Sequence, residues 1–138
     1  TGDVNEPNDN DGAATRIATN GSLQVERFDV AEDEDWFTFN ALSSNRHVIR
    51  LKELAAGVGA VVRLYDSDGT TVLATATATD STSAELIWRA THDGVYYLRI
   101  SMNGGGAFGC SATYKIGVMQ SATSLPVSVP SILQLLLN

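Results

Sequence analysis

Asp33-Glu34-Asp35-Trp36-Phe37-Thr38-Phe39 carries the clearest strand pattern in the chain. Residues 35–39 are rich in aromatic and β-branched side chains and read as a strand. Side chains alternate across a strand, so Asp33, Asp35, Phe37 and Phe39 share one face. Two phenylalanines mark that face as the core side. The carboxylate of Asp35 therefore points the same way as core residues and requires a partner there, because an unpaired buried charge is costly.

Working outward from this strand, other short segments show the same period of two. Residues 22–30 form a strand candidate with Leu23 and Val25 on one side. In 47–54, Ile49 and Leu51 oppose Val48, Arg50 and Lys52; in 60–65, Val62 and Leu64 oppose Val61, Arg63 and Tyr65. Asp66-Ser67-Asp68-Gly69 then supplies a tight turn into a strand over 70–74, since Asp-Gly accommodates positive φ. Residues 84–88 place Leu86 and Trp88 together, and 95–102 set Tyr96, Leu98 and Ile100 against Val95, Tyr97 and Arg99. Residues 112–118 turn Tyr114, Ile116 and Val118 inward, with Cys110 a small inert residue at the start of that strand. About eight such strands with turns every 8–12 residues predict an all-β, jelly-roll-like antiparallel β-sandwich. A short helical turn is expected near 12–16.

The 138 residues suffice for one domain with a real core. The sandwich is expected over 1–119. Residues 120–138 differ in character and end in Ile132-Leu133-Gln134-Leu135-Leu136-Leu137. That apolar run falls short of the ~20 residues a membrane-spanning helix needs. It is expected to dock as a strand or short helix on this domain or on a second copy, giving a homodimer; a sorting segment or a severed linker are the alternatives.

The formal net charge of −7 is unevenly distributed. Residues 1–35 hold ten acids against Arg16 and Arg27, a net of −8, and the rest of the chain is +1. Such a field favours cations and excludes a nucleic-acid partner, which needs a basic stripe to neutralise phosphates. A single cysteine rules out an internal disulfide, and zinc spacings are absent. His47 and His92 are the only histidines, and no Gly-x-Ser-x-Gly elbow accompanies them, so the chain is not expected to be an enzyme.

The concentrated acids point to calcium, which takes six to eight hard oxygen ligands. Glu6, Asn8 and Asp9 offer two carboxylates and an amide on a backbone stiffened by Pro7, and Asp33 and Asp35 would close the shell from the core edge. The alternative is a solvated acidic loop with Asx turns. An EF-hand is excluded, because neither Asp9-Asn10-Asp11-Gly12 nor Asp66-Ser67-Asp68-Gly69 is followed by its closing Glu. A second candidate is the outward set. Arg63, Tyr65, Tyr97 and Arg99, with Arg50 and Lys52, oppose the core positions; Tyr and Arg supply binding energy at protein surfaces. The alternative is an ordinary solvated sheet face.

The ordered set Asp-x-x-Glu-Pro-Asn-Asp at 3–9, Asp-x-Asp-Trp-Phe-x-Phe at 33–39, Leu-Tyr-Asp-x-Asp-Gly at 64–69, Gly-x-Tyr-Tyr-Leu-Arg-Ile at 94–100 and Tyr-x-Ile-x-Val at 114–118 resembles the bacterial pre-peptidase C-terminal domain. That family includes the collagen-binding domains of clostridial collagenases. The resemblance implies a non-catalytic jelly-roll domain of a secreted, extracellular bacterial protease or other hydrolase, whose catalytic domain would lie N-terminal to Thr1. It implies calcium held by Glu6, Asn8, Asp9 and Asp35 with Glu32 or Asp33, although Val4 stands where collagen-binding members carry a further acid. It also implies either targeting of an insoluble polymer such as collagen, through surface aromatics, or a role in export and maturation. The rival expectation is a structural module that self-associates through its C-terminal segment.

Overall fold

The computed structural model describes residues 10–30, 33–103, 108–109 and 111–122. The expected ligands Glu6, Asn8, Asp9 and Glu32, the Cys110 position and residues 123–138 of the expected 120–138 tail lie outside them.

The described chain begins with a single 3-10 turn, Asp11–Ala13, whose N-cap Asn10 accepts from the Ala13 amide at 3.0 Å. Nine strands follow: β1 (Thr15–Arg16), β2 (Gln24–Arg27), β3 (Glu34–Ala41), β4 (Arg46–Lys52), β5 (Ala60–Tyr65), β6 (Val72–Ala78), β7 (Ala84–Arg89), β8 (Gly94–Met102) and β9 (Thr113–Ser121). All eight expected strands are present. The additional one, β1, is two residues long and pairs in parallel with β3, too short to leave a periodic trace.

The strands form a five-stranded sheet, β1-β3-β8-β5-β6, and a four-stranded sheet, β2-β9-β4-β7. Every pairing except β1 with β3 is antiparallel. The inner faces meet in one core: Phe37, Phe39, Val62, Leu64, Tyr96, Leu98 and Ile100 from the first sheet, and Ile49, Leu51, Tyr114, Ile116 and Val118 from the second. Burying a side chain of this size contributes about 1.5–3 kcal/mol. The result is the β-sandwich expected from the alternation.

Two local features fix the strand connections. The β5–β6 turn closes with the Gly69 amide on the Asp66 carbonyl at 2.9 Å, and Gly69 has φ +71°. There the Asp68 carboxylate accepts from the Thr71 hydroxyl at 2.5 Å and from the Thr71 and Thr70 amides at 2.8 and 2.9 Å. These bonds, led by that from the Thr71 hydroxyl, hold Asp68 well below the usual carboxylate range. On β9, a Cβ at Gly117 would lie 2.8 Å from the Ser22 carbonyl, so only glycine lets the chain before β2 cross so closely.

On strand β2 the side shared by Leu23 and Val25 faces outward, and Glu26 and Phe28 occupy the inner side. A buried glutamate there takes the position an aliphatic residue normally fills.

Candidate functional site

Among the described residues, three acidic side chains are buried in the sandwich. Asp35 is 0% exposed, Glu26 1% and Asp33 6%. Strand parity on β3 sends Asp33 and Asp35 to the same side as Phe37 and Phe39. Glu26 comes from the opposite sheet, directly across from Tyr114 in the β2–β9 register. The Tyr114 hydroxyl donates to Oδ2 of Asp35, linking the two sheets through a carboxylate. Phe28 covers the Tyr114 ring with centroids 5.0 Å apart. Oδ2 of Asp33 accepts from the Asp29 amide at 2.7 Å, and Oε2 of Glu26 takes a long contact of 3.5 Å from Gln24.

Buried carboxylates demand compensation by hydrogen bonds, cations or metal. The donors here are hard oxygens, which suit calcium and do not suit a soft transition metal. Among the described residues, no group of three His, Cys, Asp or Glu is placed to hold a metal ion. Asp33 and Asp35 therefore constitute at most part of a shell whose other expected members lie outside the described residues. Glu26 escaped the sequence reading. Its signal was available: residues 22–28 alternate, and Phe28, the larger aromatic, identifies the inner side.

A second constellation lies on the outer face of the five-stranded sheet. The β5–β8 register sets Arg63 opposite Arg99 and Tyr65 opposite Tyr97, so the four residues expected to share a surface do so. The β3–β8 register adds Trp36 beside Arg99. Trp36 stacks on Tyr65 with centroids 5.0 Å apart and meets Tyr97 edge-on at 6.4 Å. Arg99 donates to the Tyr65 hydroxyl at 3.0 Å and pairs with Glu34 at 2.8 Å; Glu34 also accepts from the Trp36 indole at 3.4 Å. Arg63 donates to Ser101 Oγ at 3.1 Å. The aromatics are thus held in place by their polar neighbours, with Tyr97, Arg63 and Arg99 partly exposed and Trp36 and Tyr65 largely covered. Sequence parity would have placed Glu34 and Trp36 on this face, opposite Asp33 and Asp35. Arg50 and Lys52 do not join it, because β4 belongs to the other sheet.

The two histidines serve local packing. His47 is 0% exposed, lies between Phe39 and Trp88 at ring distances of 5.6 and 5.2 Å, and shares a 3.0 Å hydrogen bond with Gln120 Oε1. Burial lowers its pKa below the ordinary 6.5. His92 stacks on Tyr96, with Nδ1 3.1 Å from the Asp93 carbonyl and Nε2 3.0 Å from Asp66. The Asp93 carbonyl, and after it Asp66, raise its pKa. Ser67 donates its hydroxyl to the Val95 carbonyl rather than to a histidine.

The family model for the bacterial pre-peptidase C-terminal domain matches residues 33–101, half of the chain. Among solved structures, the chain is similar to the pre-peptidase C-terminal domain of collagenase from Bacillus anthracis. The two are 24% identical with a TM-score of 0.55, over 76% of this chain and 93% of that one. It is also similar to PliG, a periplasmic lysozyme inhibitor of g-type lysozyme, from Aeromonas hydrophila. There the identity is 8% and the TM-score 0.52, over 78% of this chain and 97% of that one. The PliG of Salmonella Typhimurium gives 11% and 0.50 over 78% and 99%. At these identities the structures share the fold. A search of curated proteins gives no match.

Proposed function

The chain belongs to the bacterial pre-peptidase C-terminal domain family, and from that premise we propose that it is a non-catalytic accessory domain of a secreted hydrolase, of the protease class. Its task in this reading is to hold the parent enzyme on an insoluble polymer such as collagen. The likeness to a collagenase domain supports the choice of parent. The observation that carries the targeting role is the outer face of the five-stranded sheet, where Trp36, Tyr65 and Tyr97 lie against Arg63 and Arg99 on three adjacent strands. Preformed aromatic and arginine groups lose little side-chain freedom on binding, which is what makes them effective contacts.

Calcium belongs to the same proposal. Asp33 and Asp35, with Glu6, Asn8, Asp9 and Glu32, would hold it. When bound, the ion would neutralise clustered carboxylates and tie the N-terminal segment to the sandwich. Asp35 is kept in position by Tyr114 and Asp33 by the Asp29 amide.

Cosedimentation of the full chain with insoluble collagen, chitin and cellulose tests the targeting role. Retention on one polymer, lost in Tyr97→Ala and Arg63→Ala, is the expected result. Failure to bind any of the three removes targeting and leaves a role in export or maturation.

A further inference from the structure

The outer face of the four-stranded sheet carries a charge pattern unlike the rest of the chain. Six of the nine Lys and Arg residues, Arg27, Arg46, Arg50, Lys52, Arg89 and Lys115, lie on it. Two pairs sit directly opposite across strands, Arg46 with Arg89 and Lys52 with Lys115. Like charges so placed destabilise a sheet. Local acids offset only part of this: Asp29 pairs with Arg27 at 2.7 Å, Glu85 with Arg50 at 3.0 Å and Glu53 with Lys115 at 2.9 Å. Among the described residues, neither Arg46 nor Lys52 has an ion pair.

Between the two basic rows runs an apolar one. Met119, Val48 and Ile87 are register partners across β9, β4 and β7, with Met119 43% and Ile87 59% exposed. Leu23 packs over Gly117 beside them, and Val25 adjoins Lys115. Six residue steps along β4 lead from Arg46 to Lys52, about 20 Å at the usual rise of a strand. The face is therefore basic at both ends, with the aliphatic row and the internally paired Arg50 and Glu85 between them.

We propose that this face docks an acidic protein surface that presents two carboxylate groups about 20 Å apart around an aliphatic centre. Charge complementarity selects an anionic partner, and the apolar row selects a protein. A polysaccharide or nucleic acid would neutralise the basic rows and leave Ile87 and Met119 in water. This surface lies on the opposite side of the sandwich from the aromatic face, so one domain can engage both partners at once.

Fluorescence anisotropy with the full chain tests the assignment. The probe is a labelled helical peptide with two Glu pairs about 13 residues apart, matching that span at the helical rise, flanking Leu and Ile. The wild type is expected to bind it with an affinity that falls as salt rises. The double variant Arg46→Glu, Lys52→Glu is expected to bind at least ~10-fold more weakly, as is the same peptide carrying Lys for Glu. Ile87→Ser is expected to weaken binding by about 3-fold. Both charge reversals relieve a like-charge pair, so the double variant is expected to melt no lower than the wild type, separating lost binding from lost folding. No binding of the acidic peptide, equal binding by the double variant, or preference for heparin or phosphatidylserine vesicles over the peptide would overturn the proposal.

Discussion

The Tyr114 hydroxyl hydrogen-bonds to the Asp35 carboxylate across the sandwich, joining the start of β3 in one sheet to the start of β9 in the other although 79 positions separate them in sequence. Both groups are fully buried. Removing the hydroxyl leaves a buried acceptor short of one charge-assisted bond, which costs about 1–3 kcal/mol. Tyr114→Phe should lower the urea midpoint accordingly with an unchanged slope. An unaltered midpoint would show that the bond contributes nothing net.

The calcium part of the proposed function makes its own prediction. Added calcium should raise the melting temperature and chelator should lower it, by up to about 2.7 kcal/mol of stability at a hundredfold excess over Kd. Asp35→Asn should abolish the calcium response while Glu85→Gln, on the outer face of the other sheet, keeps it. Identical melting of the wild type with calcium and with chelator would eliminate the ion.

How much of this was legible in the sequence depends on the range of the interaction. The face on which Asp35 sits follows from alternation along five residues, a local property of the strand. That Arg63 and Tyr65 would face Arg99 and Tyr97 does not follow, because the β5–β8 pairing joins distant segments and strand order leaves no local trace. Arg50 and Lys52 face outward as parity requires but on the other sheet, since outward parity says nothing about which sheet a strand joins. Glu26 was missed for another reason: Phe28 marks the inner side of residues 22–28, but an acid on that side breaks the hydrophobic pattern on which parity arguments rely.

His47 predicts an acid limit to stability. Its folded pKa lies below 6.5, so between 6.5 and the folded value the unfolded chain binds more protons. His47 therefore makes stability fall as pH drops through that window, and the loss levels off below the folded pKa. His92 acts oppositely: its folded pKa is raised, so its contribution is present below 6.5 and is lost as pH rises through the folded value. His92 is about half exposed, and solvent screening makes its share small. Urea titrations from about pH 5 to about pH 8, which bracket the ordinary histidine pKa on both sides, should show reduced dependence in His47→Gln and little change in His92→Gln. An unchanged slope in His47→Gln would assign the acid sensitivity to carboxylates.

Gly117 tests the packing that places β2 over β9. Its Cβ would lie 2.8 Å from the Ser22 carbonyl and 2.9 Å from Leu23 Cδ2. The leucine can move, because it is half exposed at the edge of the sheet. The carbonyl cannot move cheaply, since the neighbouring Gly21 amide is bound to the Val118 carbonyl at 2.9 Å and the Ser22 amide to Asn20 Oδ1 at 2.9 Å. Gly117→Ala should therefore cost about 1–3 kcal/mol, as overpacking usually does. The displaced crossing carries Glu26 with it, so hydrogen exchange at the β2 amides should rise more than at β5 or β8. Uniform exchange across both sheets would mean that the crossing does not anchor β2 independently.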